Sequence, residues 1–185
     1  RDVFVARQLS SRVFLTAASD IDFNVLRDKH VLVVGGNGRV GGSVVTQLLK
    51  HGAKVTVGGT RSTSFDDSKT RWLELFPSLD LTKLDFSTVD REKAESVKSV
   101  LSANNFDLVV HTAGPFQGKV ATPNGVIDAA VSSGVPYVDV CDDYCTACAA
   151  KTKYQKKAQD SQVPCIISTG CWVRQNTTVS DQNTS

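Results

Sequence analysis

A cluster of glycines stands between residues 35 and 42, where the sequence reads Gly-Gly-Asn-Gly-Arg-Val-Gly-Gly. Gly36, Gly38 and Gly41 satisfy the spacing G-x-G-x-x-G. Glycines in such a loop permit unusual backbone angles and let the backbone approach a pyrophosphate, whose charge the free amides of the next helix then stabilise. The motif is informative only between a strand and a helix. It predicts a phosphate-binding loop made of Gly35, Gly36, Asn37, Gly38, Arg39, Val40 and Gly41.

The residues after the next apolar run indicate which dinucleotide would bind. Domains that bind NAD carry an acidic residue about 20 residues beyond the glycine loop, where it holds the ribose hydroxyls. This chain has Gly58, Gly59, Thr60 and Arg61 there. A guanidinium without a neighbouring carboxylate suits a 2′-phosphate, so the pattern favours NADP over NAD. The alternative is that Arg61 is an ordinary surface arginine.

Short apolar runs alternate with amphipathic stretches from His30 onward, which predicts βαβ units. We expect strands at 31–34, 53–57, 82–86, 106–111, 137–141 and 164–168. We expect helices at 40–51, 67–76, 90–103 and 147–161, with a further helix that begins at Thr122 and Pro123 and stops near Gly134. On the first helix, Val40, Val44, Leu48 and Leu49 are predicted to form the apolar face. The pattern predicts an α/β fold, a doubly wound Rossmann-type parallel sheet of about six strands.

Three further segments, together with the glycine loop, carry a family resemblance. They are His-Thr-Ala-Gly-Pro-Phe at 111–116, Tyr-Val-Asp-Val-Cys-Asp-Asp at 137–143 and Ser-Thr-Gly-Cys-Trp at 168–172. In order and spacing the chain resembles the saccharopine dehydrogenase NADP-binding domain from about His30 to Trp172, most closely the plant saccharopine-dehydrogenase-like proteins. The resemblance implies a nicotinamide floor formed by Ala113, Gly114, Pro115 and Phe116, and adenine contacts near Asp85 and Phe86.

The resemblance also implies an NADP-dependent oxidoreductase that acts on an amino-acid or oxo-acid substrate. The alternative is a non-catalytic NADP-binding module or regulator. The family continues past the sixth strand into a second domain that completes the substrate pocket, whereas this sequence leaves the family pattern after Trp172. We therefore expect a truncated chain that binds cofactor, takes a small-molecule substrate only together with the second domain, and is inactive alone. Whether the chain is itself an enzyme stays open, and an oligomer is compatible with the sequence.

Other residues that could do chemistry are weaker candidates. Cys141, Cys145 and Cys148 have the spacing CxxxCxxC of some iron–sulfur sites, but buried thiols fit the strand-and-helix pattern better. The three histidines are too scattered to predict a metal site. No Tyr-x-x-x-Lys pair of the short-chain dehydrogenases is present. The sequence assigns no catalytic residue, although His111 and Tyr144 are the first candidates if the chain turns over substrate.

Composition limits the remaining classes. The 185 residues have a formal charge of +2, which gives no reason to expect nucleic-acid binding. No apolar run approaches the roughly 20 residues of a membrane span. Residues 1–29 are expected to be a leader, because 1–19 carry three arginines and one acid, the bias of a transit peptide. This favours a plastid location, with the cytoplasm as the alternative. The domain is expected at 30–172 and a disordered tail at 173–185.

Overall fold

A six-stranded, all-parallel sheet forms the centre of the molecule. The computed structural model describes residues 22–118 and 125–167. The strands are β1 His30–Val34, β2 Lys54–Gly59, β3 Leu84–Thr88, β4 Leu108–His111, β5 Tyr137–Asp139 and β6 Cys165–Ile166. Their spatial order is β3-β2-β1-β4-β5-β6, so the chain winds outward in two directions from the centre. This arrangement confirms the predicted doubly wound Rossmann-type fold.

Five α-helices connect these strands within the described ranges. They are α1 Arg39–Lys50, α2 Ser62–Leu75, α3 Ala94–Ala103, α4 Gly125–Ser132 and α5 Tyr144–Asp160. α5 begins three residues earlier than predicted, because the Asp143 side chain caps it by accepting a hydrogen bond from the Thr146 amide at 2.8 Å. α2 also begins earlier than predicted. The sequence pattern did not indicate its first turn, because that turn is polar and carries no apolar periodicity.

Two apolar cores lie on opposite faces of the sheet. One contains Val31 and Val33 of β1 with residues of α1 and α2, and the other contains Leu32 and Val34 with residues of α3, α4 and α5. Alternate β1 side chains therefore enter different cores, which explains the continuous apolar run of this central strand.

The predicted apolar face of α1 is wrong at its first residue. Val40 is 52% exposed, whereas Val45, Leu48 and Leu49 are buried. Val40 is the second residue of α1, whereas the large side chains that enter the core, Val45, Leu48 and Leu49, come from later turns.

Residues 22–29, within the predicted leader, contact the domain. Phe23–Leu26 forms a short 3-10 helix, and the Phe23 ring stacks on His51 with 4.0 Å between centroids. The amide of Asp28 donates to the Gly52 carbonyl at 3.2 Å.

Some sequence expectations lie outside the described residues. They are the transit-like segment 1–19, the helix start at Thr122 and Pro123, the segment 168–172 and the tail 173–185. Where the structure is described, no helix has both the length and the apolar character that crossing a membrane requires.

Candidate functional site

A cleft of about 420 Å³ opens at the carboxyl ends of the central strands. It lies where strand order reverses between β1 and β4, which is where open α/β sheets bind ligands. A larger cleft of about 780 Å³ lies between α5 and β6, but the glycine loop does not line it. Residues from four loops line the first cleft, among them Gly35, Asn37, Gly58, Arg61, Asp90 and Ala113.

Two glycines of the loop are required by close packing. Gly35 has a φ of +85°, and a Cβ built on it would lie 2.8 Å from the Ala113 Cα. A Cβ on Gly41 would lie 2.2 Å from the Gly35 carbonyl oxygen. The amide of Gly35 donates to the Gly58 carbonyl at 2.8 Å. These contacts hold the loop against β2 and the segment after β4, with no room for side chains.

The start of α1 can bind an anion. Its N-cap residue is Gly38, which has no side chain to cap the helix, and the first turn contains no acidic residue. Amides in the first turn of a helix have no intrahelical acceptor, and the helix dipole is positive there. A Cβ on Gly38 would meet only the Gly35 carbonyl oxygen, at 3.2 Å. Arg39 and Val40, both exposed, begin this turn.

Asn37 provides an independent sign that a ligand belongs in the cleft. Its Oδ1 is buried and accepts no hydrogen bond from the described residues. A buried acceptor without a donor is costly, and a hydroxyl or amino group of a bound molecule would remove that cost. Asn37 lines the cleft, so the residues present fit a polar ligand such as a dinucleotide.

The far end of the cleft is cationic. Gly58, Gly59, Thr60 and Arg61 line it. Arg61 is exposed and is the N-cap residue of α2, where it makes no capping hydrogen bond through its side chain. A guanidinium beside free helix amides suits a phosphate dianion.

The segment after β4 forms the opposite wall. Ala113 and Gly114 line the cleft, and Arg91 Nη1 donates hydrogen bonds to both of their carbonyl oxygens. Pro115 is exposed, and Phe116 is buried beneath this wall, where its carbonyl oxygen accepts a hydrogen bond from Thr146 Oγ1 at 3.0 Å.

Arg91 is a residue of this wall that the sequence pattern did not indicate. Its two hydrogen bonds join segments 22 and 23 residues apart, and the sequence pattern placed Arg91 inside the predicted helix 90–103, with no sign that it reaches the segment after β4.

Asp85, which the family resemblance places near the adenine, is not among the residues that line the cleft. β3 ends at Thr88, two residues later than expected, which places Asp85 within the strand in register with Thr56. Its carboxylate pairs with Lys54 Nζ at 3.4 Å, and it does not line the cleft. Val89 and Asp90, which follow the end of β3, line the cleft instead.

A buried polar network lies beneath the wall. The Tyr137 hydroxyl donates to Asp139 Oδ2 at 2.9 Å and lies 3.1 Å from His111 Nδ1. All three side chains are at most 3% exposed. Burial, together with the charge of Arg91, lowers the pKa of His111 to about 3. Its imidazole is therefore neutral at physiological pH and donates through Nδ1 to the Tyr137 oxygen. His111 thus supports the wall from below and is not exposed to the cleft.

The remaining candidates are separate from the cleft lining. Tyr144 is 80% exposed, and a hydrogen bond with the Cys148 side chain raises its pKa above the ordinary value. Among the described residues, Cys141, Cys145, Cys148 and Cys165 are free thiols, and no group of three His, Cys, Asp or Glu side chains could hold a metal ion.

The chain is similar to several known proteins. Residues 31–166 match the family described as saccharopine dehydrogenase NADP binding domain. A bifunctional UDP-glucose 4-epimerase and UDP-xylose 4-epimerase 3 of Arabidopsis thaliana is 36% identical over 88 residues, which are 47% of this chain and 25% of the epimerase.

Two solved structures share the fold. The epimerase Mth375 of Methanothermobacter thermautotrophicus has a TM-score of 0.56 at 20% identity, covering 78% of this chain and 52% of its own. An NADPH-bound short chain oxidoreductase of Pseudomonas aeruginosa has a TM-score of 0.54 at 16% identity, covering 74% and 70%. This chain therefore spans a quarter of the plant epimerase and about half of the archaeal one.

The family match covers most of the chain and includes the glycine loop, the cationic end of the cleft and the wall after β4. These are the parts that the geometry suits to a phosphorylated dinucleotide. The chain belongs to the saccharopine dehydrogenase NADP-binding domain family, and its cofactor is NADP.

Proposed function

We propose that this domain holds NADP for a saccharopine-dehydrogenase-like oxidoreductase that acts on an amino-acid or oxo-acid substrate. When bound, NADP supplies or accepts the hydride. The observation that carries the proposal is the cleft at the β1–β4 switch point, in which a glycine loop, a helix start and Arg61 surround the buried acceptor Asn37 Oδ1.

The pyrophosphate is assigned to the start of α1. Gly35, Gly36, Gly38 and Gly41 keep side chains away from the loop, and the amides of Arg39 and Val40 lie in the first turn. Backbone donors and the helix dipole then bind the two phosphates without a lysine or arginine directed at them.

The adenosine half is assigned to the space between the ends of β2 and β3. Arg61 would bind the 2′-phosphate, and Asp90 replaces Asp85 as the polar group nearest the adenine. Hydrogen bonding by the Glu92 amide lowers the pKa of Asp90, so this side chain is an anionic acceptor at neutral pH. An acceptor of this kind suits the exocyclic amine of adenine.

The nicotinamide is assigned to the wall after β4. Ala113 and Gly114 present backbone to a flat ring, and Arg91 fixes their carbonyl groups by hydrogen bonds. Pro115 and Phe116 complete the segment, with Phe116 serving as the buried anchor. The residues of this domain thus orient the cofactor.

Isothermal titration calorimetry of the Arg61→Ala variant with NADPH and with NADH tests this proposal. Loss of a charge-assisted phosphate contact should weaken NADPH binding by about 1.5–3 kcal/mol, or roughly 10- to 150-fold, and leave NADH binding unchanged. Arg71→Ala is the matched control, because it removes an exposed arginine from the same helix outside the cleft lining. Equal binding of the two cofactors by the unaltered chain would contradict the assignment of Arg61.

A further inference from the structure

Two cysteines in the first turns of α5 are not used by the cofactor cleft. Cys145 and Cys148 are separated by Thr146 and Ala147, so they form a C-x-x-C pair at the start of this helix. Both are exposed free thiols.

The packing of the intervening residues makes the pair face solvent. Thr146 is buried and donates to the Phe116 carbonyl at 3.0 Å, and Ala147 is 3% exposed. With these two side chains directed inward, Cys145 and Cys148 lie on the outer surface, and residues three apart in a helix are neighbours there.

The third cysteine of the CxxxCxxC spacing does not join them. Cys141 is 2% exposed, and its thiol donates to the Asp143 carbonyl at 3.5 Å. Burial raises the pKa of Cys141, which keeps it a protonated thiol. The structure therefore divides the motif into one buried cysteine and an exposed pair.

The distances of a helix allow the pair to close. Residues i and i+3 have Cβ atoms about 5–6 Å apart in an α-helix, against about 3.5–4.5 Å in a disulfide. Tightening by about 1–2 Å is what a change from an α to a 3-10 turn provides, because side chains at i and i+3 eclipse in the latter. This change is confined to the end of a helix, where turns tighten readily.

The geometry points to Cys145 and Cys148 as a thiol–disulfide exchange site that is oxidised by small disulfides. The Cys145 thiolate attacks one sulfur of the small disulfide and releases one thiol, leaving a mixed disulfide on Cys145. The Cys148 thiolate then attacks Cys145 Sγ and releases the second thiol. Two protein thiols are thereby oxidised to a disulfide, and the small disulfide is reduced to two thiols.

The places of the two cysteines along α5 support this order of events. Cys145 is the second residue of the helix and Cys148 the fifth, so Cys145 lies nearer the helix start. Asp142 and Asp143 flank the site, so an uncharged disulfide is the appropriate probe.

The test treats the full chain with bis(2-hydroxyethyl) disulfide, quenches with an alkylating reagent and measures intact mass. The unaltered chain should lose two alkylation sites and carry no adduct. Cys148→Ser should trap the mixed disulfide on Cys145, with at least about ten times more adduct than the unaltered chain. Cys145→Ser should lose the intramolecular disulfide.

Cys141→Ser, Cys165→Ser and Cys171→Ser are the controls, and each should still close the disulfide. Adduct on both cysteines of the unaltered chain without closure would overturn the proposal. So would closure that survives Cys145→Ser, because the disulfide would then involve other cysteines. Cys145 and Cys148 are exposed, so serine at either position should leave the circular dichroism spectrum unchanged. The same spectrum verifies folding in each control variant.

Discussion

Gly38 and Gly41 occupy the same loop, and the structure assigns them different tasks that alanine substitution can separate. A methyl group on Gly41 would lie 2.2 Å from the Gly35 carbonyl oxygen and 2.7 Å from the Gly36 Cα. Both neighbours are backbone atoms, so the loop or the helix must shift. Overpacking of this kind costs about 1–3 kcal/mol, and the short distances favour the upper end. The gain from alanine in a helix, at most about 1 kcal/mol, offsets only part of it.

Gly38 is the matched comparison. Its φ of −74° is ordinary for any residue, and its methyl group would meet one backbone oxygen at 3.2 Å. As an N-cap, alanine is worse than glycine by roughly 0.5–1 kcal/mol, so Gly38→Ala should stay folded. The methyl group would nevertheless stand beside the amides assigned to the pyrophosphate. We expect Gly41→Ala to lose about 2 kcal/mol of stability and Gly38→Ala to lose chiefly NADPH affinity.

Urea denaturation and NADPH titration of both variants measure the two effects. A Gly41→Ala protein with the urea midpoint of the unaltered chain would refute the packing argument. A Gly38→Ala protein that binds NADPH with undiminished affinity would show that the phosphates do not approach the start of α1.

Three further predictions concern residues around the cleft. Arg91→Leu should weaken NADPH and NADH equally, by about tenfold, since it supports the nicotinamide wall and not the 2′-phosphate; a selective loss of NADPH affinity would contradict this role. In the folded chain the pKa of His111 is about 3, so its ring stays neutral down to that pH. In the unfolded chain its pKa is 6.5, so the ring binds a proton below that pH. Stability from this group is therefore complete above about pH 6.5 and falls by about 1.4 kcal/mol per pH unit between there and about pH 3, so His111→Gln should show a shallower acid slope in urea midpoints. Asp143→Ala removes the α5 cap and should cost about 1 kcal/mol, and an unchanged urea midpoint would contradict the capping bond at Thr146.

The sequence predicted those parts of the site that are formed by residues close to one another in the chain. The glycine loop lies between β1 and α1 because an apolar run, a loop and an amphipathic stretch follow one another within 21 residues of chain. Arg61 was identifiable in the same way, since its place at the end of β2 follows from counting along the chain.

Contacts between distant segments could not be predicted from one sequence. Arg91 supports Ala113 and Gly114, and His111 meets Tyr137 from a neighbouring strand, 26 residues away. These pairings depend on strand register, which apolar patterns do not determine when both faces of a strand are buried. The end of β3 was uncertain as well: the strand ends two residues later than predicted, which places Asp85 within the strand and Asp90 in the cleft lining.

The strand order has a consequence for how the chain folds. β1 pairs with β2 after one short helix, but its other neighbour is β4, so Val34 meets Thr112 across 78 residues of chain. Closing so long a loop costs more entropy than forming the β1–β2 unit, so we expect the first three strands to associate before the last three join them. Gly35 belongs to the first half of the chain and Ala113 to the second, and the cleft exists only once they touch. A ligand that binds across this boundary binds the native state alone, so NADP stabilises the docking of the two halves in proportion to the logarithm of its concentration.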